Sequence, residues 1–279
     1  MEIAVDDLRL DHTLESGQAF RWTRRGDGDY EGVVGRCVVR ATQHDGKVVL
    51  GGASEAVLRR YFQLDADLAA IVRSFPDDPP MRRAVAFCRG LRLLRQEPWE
   101  TLASFICSST KQIVQIRQIV AHLCRELGEP LGSGACHAFP SVAAVARATE
   151  ARLRACKLGF RAAYLRASAR MIEAGRVRLD AVGGMDYPRA VEELTKLPGV
   201  GPKLADCALL FAWGRQEAFP MDVWIERALR RLYFPGKPRV TRRELAGFTR
   251  THFGPHAGYA QQYLFHYVRR HPQVLEANA

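Results

Sequence analysis

Between two predicted helices the chain reads Leu197-Pro198-Gly199-Val200-Gly201-Pro202-Lys203-Leu204-Ala205-Asp206. The two glycines permit a tight turn and a close approach of the backbone to a ligand. Pro202 suits the first position of a helix, because its missing N–H would have no partner there. The N-terminus of that second helix leaves free N–H groups, which suit a phosphate. The stretch therefore predicts a short hairpin between two helices that presents a helix N-terminus to an anion.

The chain around this hairpin is basic. Its 279 residues contain 41 Lys and Arg against 30 Asp and Glu, a formal net charge of +11. The hydrophobic share of 47%, with only 23 Gly and 14 Pro, excludes a disordered or collagen-like protein. The charge favours a polyanionic partner. The sequence contains no run of about 18 uncharged apolar residues, so no membrane span is predicted. We interpret the hairpin as a helix-hairpin-helix motif that contacts a DNA backbone through Gly199, Val200, Gly201 and Lys203. An ordinary corner between helices is the alternative.

The order of sequence patterns predicts an α+β protein that is mostly α. Over the first 50 residues, short β-rich runs alternate with Gly and Asp, which favours an antiparallel meander. From about residue 81 onwards, apolar residues recur at helical spacing. We predict a β-rich domain with a twisted antiparallel sheet over residues 1–93. Residues 94–279 are predicted to form a helical domain that contains the helix-hairpin-helix motif. Two helical subdomains of this domain are predicted to flank a cleft.

Two residues near the hairpin are candidate catalytic groups. Lys203 falls in the first turn of a helix, where the positive helix end and partial burial disfavour an ammonium ion. A neutral amine is the nucleophile that Schiff-base chemistry needs, and arginine cannot supply it. Asp222 directly precedes another helix, so it is a candidate N-cap whose fixed carboxylate would stabilise an oxocarbenium-like sugar. The alternatives are a lysine that only contacts phosphate and an aspartate that only caps the helix.

Further strings along the chain resemble the 8-oxoguanine DNA glycosylase/AP lyase family of the helix-hairpin-helix-GPD superfamily. The resemblance runs from about residue 8 to residue 270. Beyond residues 197–224, it rests on Ser16-Gly17-Gln18-Ala19-Phe20-Arg21-Trp22, Tyr61-Phe62-Gln63-Leu64-Asp65, Arg92-Leu93-Leu94-Arg95-Gln96, Ser104-Phe105-Ile106-Cys107-Ser108-Ser109 and Ala257-Gly258-Tyr259-Ala260-Gln261.

The resemblance implies a base-excision repair enzyme that flips 8-oxoguanine, paired with cytosine, out of duplex DNA and excises it. Lys203 would attack C1′ of the sugar, form a Schiff base and cut the strand by β-elimination, while Asp222 stabilises the developing charge. One alternative is a glycosylase for alkylated or ring-opened purines, although the alkylated-purine type lacks the lysine. A non-catalytic DNA-binding module is the other.

The resemblance also implies residues that contact the bases. Gly17 matches a glycine whose carbonyl accepts the N7–H that 8-oxoguanine has and guanine lacks. Cys207 and Phe265 match the pair that sandwiches the damaged base, and Gln261 matches the residue that reads its Watson–Crick edge.

Four further positions match residues that contact the opposite base or wedge the duplex, and three of them depart from the better-known eukaryotic pattern. Thr110 replaces an asparagine that fills the space of the extruded base, and Gln115 replaces an arginine that reads the opposite cytosine. Arg161 matches the second such arginine, and Phe160 replaces the wedge tyrosine. We therefore expect weaker discrimination against adenine opposite the lesion.

The expected partners follow from the same resemblance. The resemblance implies no organic cofactor, and no iron–sulfur cluster is expected because no cysteine follows Cys207. The family's hairpin can hold a cation through backbone carbonyls, here those of Thr195, Leu197 and Val200. We expect a monomer that binds double-stranded DNA containing 8-oxoguanine and no membrane. Without a recognisable signal peptide, we expect it in the cytoplasm or nucleoid of a bacterium, or in the nucleus of a eukaryote.

Overall fold

The computed structural model describes residues 1–4, 8–44, 46–132, 134–237 and 239–276. Within these ranges, a five-stranded antiparallel sheet precedes a helical body, which confirms the predicted fold class. The order of the strands across the sheet is β1-β5-β4-β3-β2. Their bounds are β1 (Glu2–Ala4), β2 (Trp22–Gly26), β3 (Asp29–Val34), β4 (Cys37–His44) and β5 (Lys47–Gly51).

Tight turns and a buried face explain the sheet. Gly35 has φ +59° in the two-residue connection between β3 and β4, a conformation that glycine adopts at low cost. On the inner face, Trp22, Val39 and Leu50 pack against helices α1 (Leu10–Glu15) and α2 (Glu55–Phe62). The sheet therefore has a hydrophobic core of its own.

The rest of the described chain is helical apart from a two-stranded ribbon, β6 (Pro130–Leu131) and β7 (Cys136–His137). Single π-helical turns follow α8 and α12, at Arg154–Leu158 and Leu209–Trp213. The helices are α3 (Leu68–Arg73), α4 (Pro79–Phe87), α5 (Pro98–Ser108), α6 (Ile113–Leu127), α7 (Val142–Arg147), α8 (Glu150–Leu153), α9 (Arg161–Glu173), α10 (Leu179–Val182), α11 (Tyr187–Thr195), α12 (Pro202–Ala208), α13 (Val223–Tyr233), α14 (Arg242–His252) and α15 (Ala257–Arg270).

The hydrophobic cores cut across the predicted domain boundary. Leu68, Met81 and Leu91, which the sequence assigns to the N-terminal domain, belong to the core of the helical body. Helix α4 packs against α15, and Leu94 instead packs into the core of the sheet. The division at residue 93 stays a prediction, because the two cores interleave along the chain around it.

Helices α1 and α14 are among those that the sequence interpretation does not single out. Helix α1 interrupts the region predicted as β, and six residues are too few to reveal a helical period. Helix α14 is strongly charged, but it begins with a capping box in which Thr241 and Glu244 bond each other's backbone N–H. That pattern is readable from sequence and could have predicted α14.

A buried histidine pair joins α1 to α15. Nδ1 of His12 lies 3.1 Å from Nε2 of His266, and burial lowers the pKa of His12 and lowers that of His266 to about 3. An unfolded histidine takes up a proton near pH 6.5, so between pH 6.5 and pH 3 the unfolded state binds more protons. Stability from His266 is therefore present above pH 6.5 and is lost as the pH falls.

We expect His266 alone to lower the free energy of unfolding by about 2 kcal/mol between pH 7.5 and pH 5. Glu100 and Asp206 act in the opposite direction, because burial raises their pKa values to about 7 and about 6. The free energy of unfolding is therefore measured by urea unfolding for the wild type and for His266→Gln at both pH values, and the change with pH is compared between the two proteins. The variant should lose less stability on acidification; an identical pH dependence would contradict the assignment.

Candidate active site

A cleft of about 860 Å³ opens where α12, the start of α13, the loop before α6 and α15 meet. Seven of the predicted site residues lie in its wall: Gly17, Thr110, Lys203, Cys207, Asp222, Gln261 and Phe265. The hairpin residues 199–201 and Gln115, Phe160 and Arg161 lie outside that wall. The structure thus brings the predicted catalytic and base-pocket residues, far apart in sequence, into one cavity.

The hairpin has the predicted geometry. Gly199 has φ +80°, and a Cβ there would lie 2.9 Å from Cδ2 of Tyr164. The Val200 N–H donates to the carbonyl of Leu197 at 3.0 Å, which closes the turn. Exposed Gly201 is the N-cap of α12, and its carbonyl accepts from the N–H groups of Leu204 and Ala205. In the first turn, the Lys203 N–H is therefore left without a backbone partner in the described part of the chain.

Lys203 is partly buried over an aromatic surface. Its Nζ lies 5.5 Å from the centroid of the Phe105 ring, a favourable position for a cation. Phe105 is itself fixed, since it stacks on Phe211 at 5.7 Å and meets Phe20 edge-on at 5.5 Å. Within the described ranges no carboxylate forms an ion pair with Lys203. The amine is therefore positioned by packing and stays available to a ligand.

Asp222 and Cys207 are the titratable neighbours of this amine. Oδ1 of Asp222 accepts the N–H of Ile225 at 2.8 Å, so Asp222 caps α13. Burial raises the pKa of Asp222, while this hydrogen bond and the charge of Lys203 oppose the rise. Burial raises the pKa of Cys207 to about 11, with Lys203 opposing. At neutral pH, Cys207 is thus a thiol and a poor nucleophile.

The loop at Gly17 is rigid. Gly17 has φ +82°, and a Cβ would lie 2.4 Å from Cδ1 of Ile113, so only glycine fits without displacing a neighbour. Buried Gln18 donates to the carbonyls of Thr13 and Arg92 at 2.9 Å and accepts from the N–H of Leu94 at 2.8 Å. These contacts fix the backbone beside Gly17 against α1 and against residues 92–94, which lead into α5.

Helix α15 supplies the opposite wall. Nε2 of Gln261 donates to the carbonyl of Pro220 at 3.0 Å, while its Oε1 is buried and has no partner in the described part of the chain. Buried acceptors are rarely left unpaired, so this atom is suited to a donor on a ligand.

Two further residues of helix α15 were not predicted from the sequence. Nε2 of Gln262 donates a hydrogen bond to the Ser16 carbonyl at 2.9 Å, and the Arg269 guanidinium lies 5.2 Å from the centroid of the Phe265 ring. The spacing 261, 265, 269 could have revealed Arg269.

The opposite-base and wedge residues surround the loop before α6. Thr110 is exposed in the left-handed region at φ +59°. Arg161 is only 3% exposed, and its Nη1 donates to the carbonyl of Ser109 at 3.0 Å. Gln115 accepts the N–H of Gln112 at 3.2 Å, and Phe160 is 53% exposed. Arg161 therefore supports the loop in this structure, and the roles toward DNA stay predictions.

Gly17→Ala tests the base pocket. A positive φ costs alanine about 1–2 kcal/mol, and the methyl group would push Ile113 into the cleft. We expect kcat/KM for lesion excision to fall at least about tenfold, an effect of the size that misplaced contacts produce. Cleavage of a pre-formed abasic site, which has no base to accommodate, should stay near the wild-type rate. A parallel loss of both activities would contradict a role confined to the base.

Comparison with known proteins identifies the family. The family model described as 8-oxoguanine DNA glycosylase, N-terminal domain, matches residues 1–102, and that of the HhH-GPD superfamily base excision DNA repair proteins matches residues 103–250. This chain belongs to the 8-oxoguanine DNA glycosylases of that superfamily. A probable N-glycosylase/DNA lyase of Methanothermobacter thermautotrophicus is 31% identical over 97% of this chain and 96% of the relative. The N-glycosylase/DNA lyase OGG1 of Arabidopsis thaliana is 29% identical over 95% of this chain and 78% of its own length.

Solved structures agree with this membership. The Clostridium acetobutylicum 8-oxoguanine glycosylase/lyase, in complex with duplex DNA containing cytosine opposite 8-oxoguanine, has a TM-score of 0.91 and 34% identity. The match covers 96% of this glycosylase and 93% of that chain. A 3-methyladenine DNA-glycosylase from Archaeoglobus fulgidus shares the fold, with a TM-score of 0.78, at 22% identity. The alternative of an alkylated-purine enzyme is therefore not favoured.

Proposed function

We propose that this protein excises 8-oxoguanine from duplex DNA and then cuts the abasic strand, with Lys203 as nucleophile. The observation that carries this proposal is the position of Lys203 and Asp222 in one cleft with an unpaired buried acceptor of Gln261. Family membership supports the reaction class, because the curated relatives are N-glycosylase/DNA lyases.

The chemistry begins after the damaged nucleotide is turned out of the duplex into the cleft. The Lys203 amine attacks C1′, the bond from C1′ to the base breaks, and the base leaves with the electron pair. The ionised Asp222 carboxylate stabilises the positive charge that develops on the sugar. The nitrogen then loses its protons and forms an imine with C1′ as the C1′–O4′ bond breaks, so that the ring oxygen leaves as a hydroxyl group. Loss of a proton from C2′ then expels the 3′ phosphate. Cys207 stays protonated and does not compete.

Base recognition uses the two walls of the cleft. The Gly17 carbonyl accepts the N7–H of 8-oxoguanine, and Oε1 of Gln261 accepts a donor on the Watson–Crick edge. One hydrogen bond contributes about 1 kcal/mol net, which is too little to discriminate against guanine. Discrimination also requires that guanine, when it enters the cleft, leaves a buried polar group without a hydrogen-bond partner.

The hairpin carbonyls fit a structural cation. The Leu197 carbonyl accepts one hydrogen bond, from Val200, and an oxygen with two lone pairs can accept a second partner. Thr195 ends α11, where carbonyls lack helical partners. With the Val200 carbonyl, they would hold a cation that supplies positive charge toward a DNA phosphate. In the described residues no cluster of three or more His, Cys, Asp and Glu is arranged for a metal ion.

The partner in this proposal is duplex DNA. None of the described helices combines the length and the apolar character that a bilayer crossing needs. The formal charge of +11 supplies a nonspecific attraction to the backbone that weakens as salt rises.

Borohydride trapping tests the proposal. The protein is incubated with a duplex containing 8-oxoguanine opposite cytosine and sodium borohydride, which reduces the imine to a stable amine. We expect a covalent protein–DNA adduct together with release of the free base. Base release without an adduct would contradict the lysine mechanism, and neither product would contradict the function.

The opposite-base preference is a separate prediction. Gln115 is a shorter, uncharged donor at a position where the resemblance implies an arginine, and it is engaged in capping α6. We expect the ratio of single-turnover excision rates for cytosine over adenine to be smaller than in enzymes with both arginines. Gln115→Arg should raise that ratio. A strict cytosine preference in the wild type would contradict the prediction.

A further inference from the structure

A second cavity lies away from the catalytic cleft. Its volume is about 360 Å³, within the range of small-molecule sites. Its wall consists of Arg60, Gln63, Arg95, Ala212 and Trp213, none of which lines the cleft. Ten residues of continuous helix separate Lys203 from Trp213, about 15 Å along the axis. The cavity therefore lies at the other end of this helix from the DNA-binding hairpin.

Arg95 is held in a fixed orientation at this cavity. With the Gln63 amide turned so that donors meet acceptors, its oxygen accepts from Nε of Arg95 at 2.7 Å and from Nη2 at 2.9 Å. Gly214, at φ +69°, lies so close to the guanidinium that a Cβ there would be 1.7 Å from Nη2. A guanidinium has five N–H donors, and the other three make no hydrogen bond within the described ranges. A preorganised cation with free donors thus faces the cavity.

The charge around Arg95 is unbalanced. Burial lowers the pKa of Arg95, and the positive charge of Arg60 lowers it further. In the part of the chain that the structure describes, neither arginine lies within 4.0 Å of a carboxylate, whereas neighbouring Arg59 pairs with Glu55 and Asp65. Two like charges at one cavity repel each other until an anion lies between them.

Gln63 links the end of α2 to this cavity. It adopts φ +53° as the C-cap of α2, where its N–H donates to the carbonyls of Arg59 and Arg60, and its own carbonyl accepts from the Arg92 guanidinium. Gln63 and Arg95 also belong to two of the strings that carry the family resemblance, yet the catalytic cleft uses neither.

We propose that this cavity binds a phosphate group between Arg60 and Arg95. The planar guanidinium matches two phosphate oxygens at once, which suits it to this ligand better than an ammonium. A free phosphate compound such as a nucleotide and a backbone phosphate of nucleic acid outside the cleft offer the same chemistry.

Calorimetric titration of the full chain with inorganic pyrophosphate, at constant ionic strength, tests the site. The variants are Arg60→Gln and the control Arg59→Gln, which removes one charge from the same helix. We expect saturable binding by wild type and Arg59→Gln, and at least tenfold weaker binding by Arg60→Gln with an unchanged melting temperature and excision rate. No saturable binding by wild type, or equal affinity in Arg60→Gln, overturns the proposal.

Repeating the titration with the protein saturated by a duplex that carries a non-cleavable abasic analogue distinguishes the two sources. Retained pyrophosphate binding identifies a free phosphate compound. Loss of binding, with weaker duplex affinity in Arg60→Gln, identifies a nucleic-acid phosphate. Loss of binding with unchanged duplex affinity in that variant assigns the pyrophosphate to the DNA-binding cleft and overturns the proposal.

Discussion

Lys203→Gln is expected to reduce base release from an 8-oxoguanine duplex at least about a thousandfold, the scale on which loss of a covalent nucleophile is felt. The borohydride adduct should disappear with it. Glutamine keeps much of the length of the side chain and its packing over Phe105, but its amide nitrogen cannot form an imine. Duplex affinity should fall by less than about tenfold, since we propose that the hairpin binds the backbone through main-chain N–H groups.

Lys196→Gln is the matched control for this experiment. Lys196 immediately precedes the hairpin, is exposed and pairs with Glu193 at 2.6 Å, so it contributes a similar charge near the DNA without entering the cleft. It should release the base at the wild-type rate. An adduct that survives Lys203→Gln would show that another amine reacts, and peptide mapping would test Lys111, which also lines the cleft.

The elements with strong local signals were predictable from the sequence. The hairpin and α6, α9 and α15 carry glycine, proline or long apolar periods, and their observed positions agree with those signals. Helix α1 has no such signal, because its stability comes from packing against the sheet core rather than from its own six residues. The interleaving of the two cores near residue 93 is likewise a tertiary property that no local pattern reports.

Some residues of the catalytic site were likewise predictable from local sequence, whereas others were not. Lys203 and Asp222 lie beside local motifs, so their chemistry could be argued from the residues themselves. Gly17, Gln261 and Phe265 were found only through the family resemblance, since a turn glycine and two residues of a helix carry no chemical signal alone. The support provided by Gln18 and Gln262 depends on hydrogen bonds between distant segments, and it required the structure.

Asp222→Asn separates the two roles of the aspartate. An asparagine oxygen can still accept the Ile225 N–H, so the cap of α13 persists and the free energy of unfolding should change by less than about 0.5 kcal/mol. The negative charge that we propose to lie beside C1′ is lost. We therefore expect excision to slow by about a hundredfold to a thousandfold, the usual effect of removing one electrostatic contact to a transition state.

Asp222→Ala completes the comparison, because it removes the charge and the cap together. It should slow excision to a similar extent and also lower the free energy of unfolding by about 1 kcal/mol, the typical value of an N-cap. Single-turnover rates and urea unfolding of the two variants measure both quantities. If Asp222→Asn kept the wild-type rate while Asp222→Ala lost it, capping would be the whole contribution of Asp222. Loss of rate in both, with loss of stability only in the alanine variant, would establish that the charge acts on the sugar while the cap holds it in place.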